Sequence, residues 1–136
     1  MGDAGNYHPG WVYHGLLVGP AESAALLLDR LMNGGLLAKP LLDEMIAPYP
    51  VGASIPDRPW AEAGYGLGVM SGTIHDGLRA VGHTGAGPGS VVAVYHLPGS
   101  APPSTGSAFV NGSDQGRAER LALAAAFVNG SAACRS

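Results

Sequence analysis

The apolar positions of this chain follow a helical period in its first third and a strand period further on. Apolar residues at i, i+1, i+4 and i+5 predict a first helix, which begins at Pro20 and stops before Gly34. Its apolar face consists of Leu27, Leu28, Leu31 and Met32. A second, short helix is predicted over residues 40–47 and ended by Pro48. The side chains that it would bury are Leu41, Leu42, Met45 and Ile46.

Beyond residue 64 the apolar positions alternate with polar or small ones, which predicts β-strands. The strands are expected at residues 65–71, 78–84, 90–97 and 106–111. The segment 49–63 contains Pro56 and Pro59 and is predicted to be a loop. Asp76-Gly77 indicates a hairpin between the first two strands. Because parallel strands need long crossovers, the short links favour an antiparallel meander.

The C-terminal segment predicts one more helix, over residues 114–128, capped by Ser113 or Asp114. The residues expected to face the sheet are Leu121, Ala124, Ala125 and Val128. The elements together predict a single α+β domain over residues 1–136. It would contain an antiparallel sheet of three or four strands, a C-terminal helix packed on that sheet and two N-terminal helices. Residues 1–19 are predicted to be irregular, and residues 130–136 are expected to form a frayed tail.

Composition and charge narrow the classes of function. Charged residues make up 12% of the chain, about half the usual share of ~25%, and the net charge is −3. No nucleic-acid partner is therefore expected. The first residues lack the basic start and apolar stretch of a secretory signal, so a cytoplasmic location is expected by default. Residues 80–113 carry no Asp, Glu, Lys or Arg, but prolines and glycines interrupt them, so no membrane span is predicted.

The sequence from residue 82 to residue 90, Gly-His-Thr-Gly-Ala-Gly-Pro-Gly-Ser, carries the chemistry that stands out most. It surrounds the imidazole of His83 and the hydroxyl of Thr84 with small residues at the end of a predicted strand. Glycine has no Cβ, so another group can approach the backbone closely. Exposed amides beside a polar pair could receive a substrate carbonyl or carboxylate. The alternative is that His83 and Thr84 merely fill a strand end.

No cofactor is predicted. The glycines at positions 64, 66 and 68 precede no predicted helix, which a dinucleotide-binding loop requires. The histidines lack the spacing of zinc ligands; those tested are His8, His14, His75 and His96. Ser90 does not lie in the Gly-x-Ser-x-Gly context of an exposed nucleophile.

The His83-Thr84-Gly85 stretch resembles the third motif of the serine β-lactamase-like hydrolases. This family includes class C β-lactamases, D-alanyl-D-alanine carboxypeptidases and related esterases, and its third motif is Lys/His-Thr/Ser-Gly. Three further blocks resemble the family in the same order, so that the resemblance runs roughly over residues 13–128. The blocks are Tyr65-Gly66-Leu67-Gly68-Val69, the leucine-rich stretch ending in Gly34-Gly35-Leu36-Leu37, and Phe109-Val110-Asn111-Gly112-Ser113.

The resemblance implies a site formed by His83, Thr84, Gly85 and Ala86. In this interpretation His83 anchors polar groups of the substrate, Thr84 offers it a hydroxyl, and the N–H that follows Gly85 is an oxyanion donor. The substrate would be a small molecule with an ester, amide or β-lactam group, which a serine attacks.

Two motifs of the family are absent from the chain. Its one lysine, Lys39, has Leu36 three positions before it, so no Ser-x-x-Lys is present, and no Tyr-x-Asn is found. The chain is therefore predicted to be the C-terminal part of a β-lactamase-like domain that is inactive alone. The first alternative is an interaction module that pairs through an open sheet edge, with itself or with a separate N-terminal part. The second is a ligand binder without catalysis that uses the pocket formed by residues His83–Ala86.

Overall fold

The computed structural model describes residues 19–133, with side-chain environments for residues 19–130. The predicted irregular segment up to residue 18 and residues 134–136 of the predicted tail lie outside the described part. Three helices and six strands follow one another along these described residues. They are α1 (Ala21–Met32), α2 (Lys39–Ile46), β1 (Tyr49–Gly52), β2 (Trp60–Tyr65), β3 (Met70–Ile74), β4 (Arg79–Gly87), β5 (Ser90–Leu97), β6 (Ser104–Asn111) and α3 (Gln115–Ala133).

The six strands form one sheet in the order β1-β2-β3-β4-β5-β6, and every neighbouring pair is antiparallel. The α+β class and the meander are thereby confirmed, but the predicted count of three or four strands is too low. The segment predicted as a loop contains β1 and most of β2. Pro50 is tolerated in β1 because an edge strand leaves some N–H positions unpaired.

The predicted strand over residues 65–71 is interrupted by a turn. Tyr65 ends β2, and β3 begins only at Met70. The Gly66 N–H donates to the Val69 carbonyl at 2.8 Å, and Gly68 adopts a φ of +75°. The alternation of glycine with larger residues therefore reflects turn geometry at this position. The hairpin predicted at Asp76-Gly77 is present, with Gly77 at a φ of +76°.

α3 covers one face of the sheet, but with a different side from the one predicted. Leu121 and Val128 are 45% and 66% exposed. The helix instead buries three alanines, one leucine and one charged residue: Ala118, Ala122, Ala126, Leu123 and Glu119. A Cβ added at Gly106 of β6 would lie 2.2 Å from the Ala122 carbonyl oxygen. The helix backbone approaches β6 so closely that only small residues fit between them.

The ends of α3 also differ from the prediction in one respect. Asp114 is its cap, because Asp114 Oδ1 accepts a hydrogen bond from the Arg117 N–H at 2.8 Å. The helix continues to Ala133, so residues 130–133 of the predicted frayed tail are helical. Within residues 19–133, none of the helices combines the length and apolarity needed to cross a membrane.

α1 packs on the opposite face of the sheet, against β5 and β6. It buries Leu28, whereas Leu27 of the predicted face is about half exposed. Ser107 Oγ donates to the Ala21 carbonyl at 2.7 Å and ties the start of the helix to β6. α2 likewise buries Leu42 but leaves Leu41 exposed, contrary to the prediction for that residue.

Candidate active site at the end of strand β4

The second half of β4 has a strand on one side only. Residues 79–82 pair with β3 and residues 81–87 pair with β5, so residues 83–87 extend past the end of β3. In the part of the chain that the structure describes, no other strand pairs with them. The backbone amides and carbonyls that point away from β5 are therefore free to bind an extended ligand.

The turn that follows fixes the direction of this segment. Gly87 pairs with Ser90, so Pro88 and Gly89 are the two loop residues of the β4–β5 hairpin. Gly89 has a φ of +70°, which suits glycine at the third position of a type II turn with proline before it. Seven consecutive residue pairs continue from this turn along β4 and β5, so β5 supports the open edge over its whole length.

His83 lies at the start of the open edge with its side chain exposed. Its Nε2 is hydrogen-bonded to the Tyr65 hydroxyl. The two rings meet edge to face, with centroids 5.9 Å apart and an interplanar angle of 89°. Among the described residues, Tyr65 is the only side chain that forms a hydrogen bond with His83. The imidazole is thus oriented by a phenol, and within residues 19–130 no serine or threonine hydroxyl is hydrogen-bonded to it.

Thr84 points to the other face of the sheet, because successive strand residues alternate. It pairs with Ala93, which is fully buried under α3, whereas His83 pairs with Val94. Thr84 Oγ1 donates to Glu119 Oε1 at 2.8 Å and lies 2.7 Å from the Tyr95 hydroxyl. The structure therefore divides the predicted His-Thr pair between the two faces and binds the Thr84 hydroxyl to protein groups.

Glu119 is the centre of a buried polar network behind β4. Its side chain is fully buried, and Arg58 forms a two-point ion pair with it, with Nε at 2.5 Å from Oε2. Tyr95 Oη and Trp60 Nε1 donate to Oε1 at 3.1 and 3.3 Å. The carboxylate is satisfied on both oxygens, as a buried charge requires.

This network shifts the ionisation of its members in the direction expected from charge and burial. The hydrogen bond to Glu119 raises the pKa of Arg58. Burial raises the pKa of Tyr95, and the negative charge of Glu119 raises it further. Both groups therefore keep their protons over the physiological range, and the network fixes α3 to β4 at Thr84.

Gly85 and Ala86 complete the predicted site and are both exposed. A Cβ added at Gly85 would meet only Val92 Cγ1, at 3.5 Å, which is an ordinary contact. No packing against the protein demands glycine there, so its effect is to leave the His83 face clear. Gly85, Val92 and Phe109 are directly paired across three strands and form an exposed apolar row beside His83.

The sequence interpretation missed the residues that support this strand: Arg58, Trp60, Tyr65, Tyr95 and Glu119. Glu119 carried a usable signal, because it is the one acidic residue of α3. Because the buried face of the helix was assigned to other residues, Glu119 was expected on its solvent side. The contact between Tyr65 and His83 depends on the turn after β2, which the predicted continuous strand obscured.

Two of the remaining histidines, His75 and His96, belong to the described part of the chain, whereas His8 and His14 lie outside it. Within the described residues, no three His, Cys, Asp or Glu side chains are placed to hold a metal ion. His96 is buried under α1, with Nδ1 2.8 Å from Thr105 Oγ1. His75 is exposed next to the hairpin turn.

The fold is similar to part of a solved structure, a D-stereospecific amidohydrolase from Streptomyces sp., with a TM-score of 0.58 at 23% sequence identity. The match covers 79% of this chain and 29% of that chain, so this chain spans less than a third of that protein's length. That protein has a β-lactamase-like fold, which agrees with the fold class predicted from the sequence. No protein-family model and no curated protein matches the sequence.

Proposed function

We propose that this chain forms one wall of an acyl-transfer site in a hydrolase of the β-lactamase-like superfamily. The observation that carries the proposal is the open edge of β4 at residues 83–87, which presents an oriented imidazole beside unpaired backbone. The similarity of fold to the amidohydrolase supports it. The substrate is a small molecule with an ester, amide or β-lactam carbonyl.

Each residue of the wall has a distinct task in this proposal. The substrate lies along the open edge, with its carbonyl oxygen near the Ala86 N–H, which stabilises negative charge that develops there. His83, held by Tyr65, binds a polar group of the substrate. Gly85 leaves room beside that group, and Thr84 anchors the strand from behind through Glu119. No cofactor takes part.

The attacking serine is proposed to come from another polypeptide segment. The chain contains no Ser-x-x-Lys, and no serine hydroxyl among the described residues contacts His83. The purified chain should therefore release no product above the buffer blank from a chromogenic ester or a cephalosporin reporter. Turnover that survives stringent purification would contradict this placement of the nucleophile.

Binding can be tested without catalysis, by NMR titration of the ¹⁵N-labelled chain. The probe is N-acetyl-D-alanyl-D-alanine, whose configuration follows the stereospecificity in the name of the amidohydrolase. The amide signals of residues 83–87 should shift saturably. Gly85→Ala should weaken binding several-fold, because the methyl group enters the His83 face, while its Cβ contacts only Val92 and the fold is retained.

Gly99→Ala is the matched control. Its Cβ would meet only Leu78 Cδ2, at 3.7 Å, and it lies in the β5–β6 connection, outside the proposed site. This variant should bind the probe as the wild type does. Shifts confined to other strands, or an equal effect of both glycine variants, would count against the site.

The second candidate is an interaction module, and one observation favours it. β6 is the last strand of the sheet and has no strand partner beyond it among the described residues. Phe109 on this strand is 60% exposed. In this proposal an extended segment of another copy, or of a separate N-terminal part, pairs with β6.

A further inference from the structure

A second concave site lies on the same face of the sheet as His83, nearer β1. It is a cavity of about 460 Å³ bounded by Pro48 and Pro50 on one side and by Glu62, Thr73 and Arg79 across the strands. Gly64 and Gly72 also line it. Cavities of about 300–1,000 Å³ with a few polar groups commonly bind small molecules.

Glu62, Thr73 and Arg79 form one row across this cavity. Glu62 pairs directly with Thr73 of β3, and Thr73 pairs directly with Arg79 of β4. Directly paired residues in neighbouring antiparallel strands point to the same face of the sheet. With strands about 4.8 Å apart, the backbones at Glu62 and Arg79 are separated by roughly 10 Å. A carboxylate and a guanidinium are thus presented by the same wall with a hydroxyl between them.

The two charges do not neutralise each other. In the described part of the chain the ion pairs are Lys39–Asp43 and Arg58–Glu119, and neither includes Glu62 or Arg79. Arg79 is held in place by a different contact, since its Nη2 donates to the Ile46 carbonyl at 2.5 Å and to Ser71 Oγ at 3.0 Å. Its Nε is buried without a hydrogen-bond partner among the described residues. The guanidinium is therefore fixed but incompletely satisfied.

From this juxtaposition we propose that the cavity binds a zwitterionic ligand about the size of a dipeptide. The ligand carboxylate is bound at Arg79 and its ammonium group at Glu62, while Pro48 and Pro50 contact its small apolar part. A guanidinium at one end and a carboxylate at the other select a molecule that carries both charges at matching separation. This site is independent of the acyl-transfer proposal, because it uses none of the residues 83–87.

The test is a titration that removes one charge from the ligand or from the protein at a time. L-alanyl-L-alanine is the probe, and N-acetyl-L-alanyl-L-alanine and L-alanyl-L-alanine amide lack its ammonium and its carboxylate respectively. Amide shifts of ¹⁵N-labelled chain at residues 62, 73 and 79 report binding. The wild type should bind the zwitterion saturably and each blocked ligand about tenfold or more weakly, since each loses a charged hydrogen bond.

The Glu62→Gln variant tests whether Glu62 binds the ammonium group of the ligand. It should weaken L-alanyl-L-alanine about tenfold and leave the already weak binding of the N-acetyl ligand unchanged. Glu44→Gln, an exposed substitution on α2, is the matched control and should change neither. Arg79→Gln should likewise weaken L-alanyl-L-alanine about tenfold and leave the already weak binding of the amide ligand unchanged. If that variant loses its fold because the Ile46 carbonyl is released, the Glu62 arm still decides.

Three results would overturn the proposal. One is the absence of saturable shifts at residues 62, 73 and 79 with L-alanyl-L-alanine. Another is Glu62→Gln weakening the zwitterion and the N-acetyl ligand equally. The third is wild-type binding that does not change when the ammonium is blocked, which would leave Glu62 without a role in recognising the ligand.

Discussion

His96 begins a chain of hydrogen bonds that connects three elements. Thr105 Oγ1 donates its one proton to Asp29 Oδ1 at 3.0 Å. The same oxygen must therefore accept from His96, so Nδ1 of His96 carries a proton and Nε2 does not. These hydrogen bonds connect β5 through β6 to α1, and the helix covers them. A second proton on this imidazole would place a positive charge in a site with little access to water.

Stability should consequently fall at mildly acidic pH. Burial lowers the pKa of His96, and Asp29 opposes the effect only in part. As the pH falls below the pKa of about 6.5 for a free imidazole, the unfolded chain binds a proton that the folded chain resists. The contribution of neutral His96 to the free energy of unfolding should therefore be complete above pH 7 and should decline as the pH falls. Urea denaturation from pH 7.5 to 5.5 measures the slope.

His96→Asn provides the comparison for this slope. Asparagine keeps a donor near Thr105 but cannot be protonated in this range. Because the exposed residues His75 and His83 remain in both proteins, the difference between the two pH profiles isolates His96. Parallel profiles would show that His96 does not cause the acid sensitivity.

At the scale of elements, α3 is held to the sheet by small residues and by one charge. The alanines allow the close approach at Gly106, and Glu119 binds Arg58, Trp60, Thr84 and Tyr95. These four partners belong to β2, β4, β5 and the connection before β2. Loss of the charge would leave the Arg58 guanidinium beside the core without its counter-ion.

Glu119→Gln should lower the free energy of unfolding by roughly 3 kcal/mol, as breaking a buried ion pair usually does. Chemical denaturation gives the value, and Glu44→Gln, exposed on α2, should stay within about 0.5 kcal/mol of the wild type. The backbone amides of residues 83–87 should also exchange faster in the variant, because Thr84 loses its anchor. A fully stable Glu119→Gln protein would contradict the role assigned to this network.

Sequence patterns predicted the elements whose signal is local. The Asp76-Gly77 hairpin, β5, β6 and the capped start of α3 depend on neighbouring residues, and they lie where the patterns indicate. β1 and β2 escaped prediction because prolines surround them, although an edge position tolerates Pro50. The burial of α3 could not be read from hydrophobicity, because the distance of the helix from β6 selects alanine over leucine.

In the candidate site, too, the local features could be predicted from the sequence and the long-range contacts could not. The order of residues placed His83, Thr84, Gly85 and Ala86 at a strand end, and the structure locates them at the open half of β4. Their surroundings depend on contacts between distant segments. Tyr65 reaches His83 through a turn, and Glu119 reaches Thr84 from the other end of the chain. No spacing within the motif contains that information.

At the scale of the whole molecule, the two outer edges of the sheet differ in their capacity to pair. β1 is short and contains Pro50, which cannot donate a hydrogen bond. β6 spans eight residues without proline or charge. In the described structure, the one carbonyl of β6 that accepts a side-chain hydrogen bond is that of Thr105, and the donor is Asn129. Any strand that joins the sheet should therefore join at β6, toward its C-terminal half.

Association through β6 should depend on Phe109, the large apolar side chain that this strand exposes. Sizing with light scattering should show a species larger than the monomer that dissociates on dilution. Phe109→Ser should weaken association about tenfold or more, because burial of a phenylalanine contributes roughly 1.5–3 kcal/mol. Leu121→Ser removes a comparably exposed apolar side chain from the outer side of α3 and should leave association unchanged. A wild-type chain that stays monomeric at every concentration would exclude pairing with itself and leave a separate segment as the partner of β6.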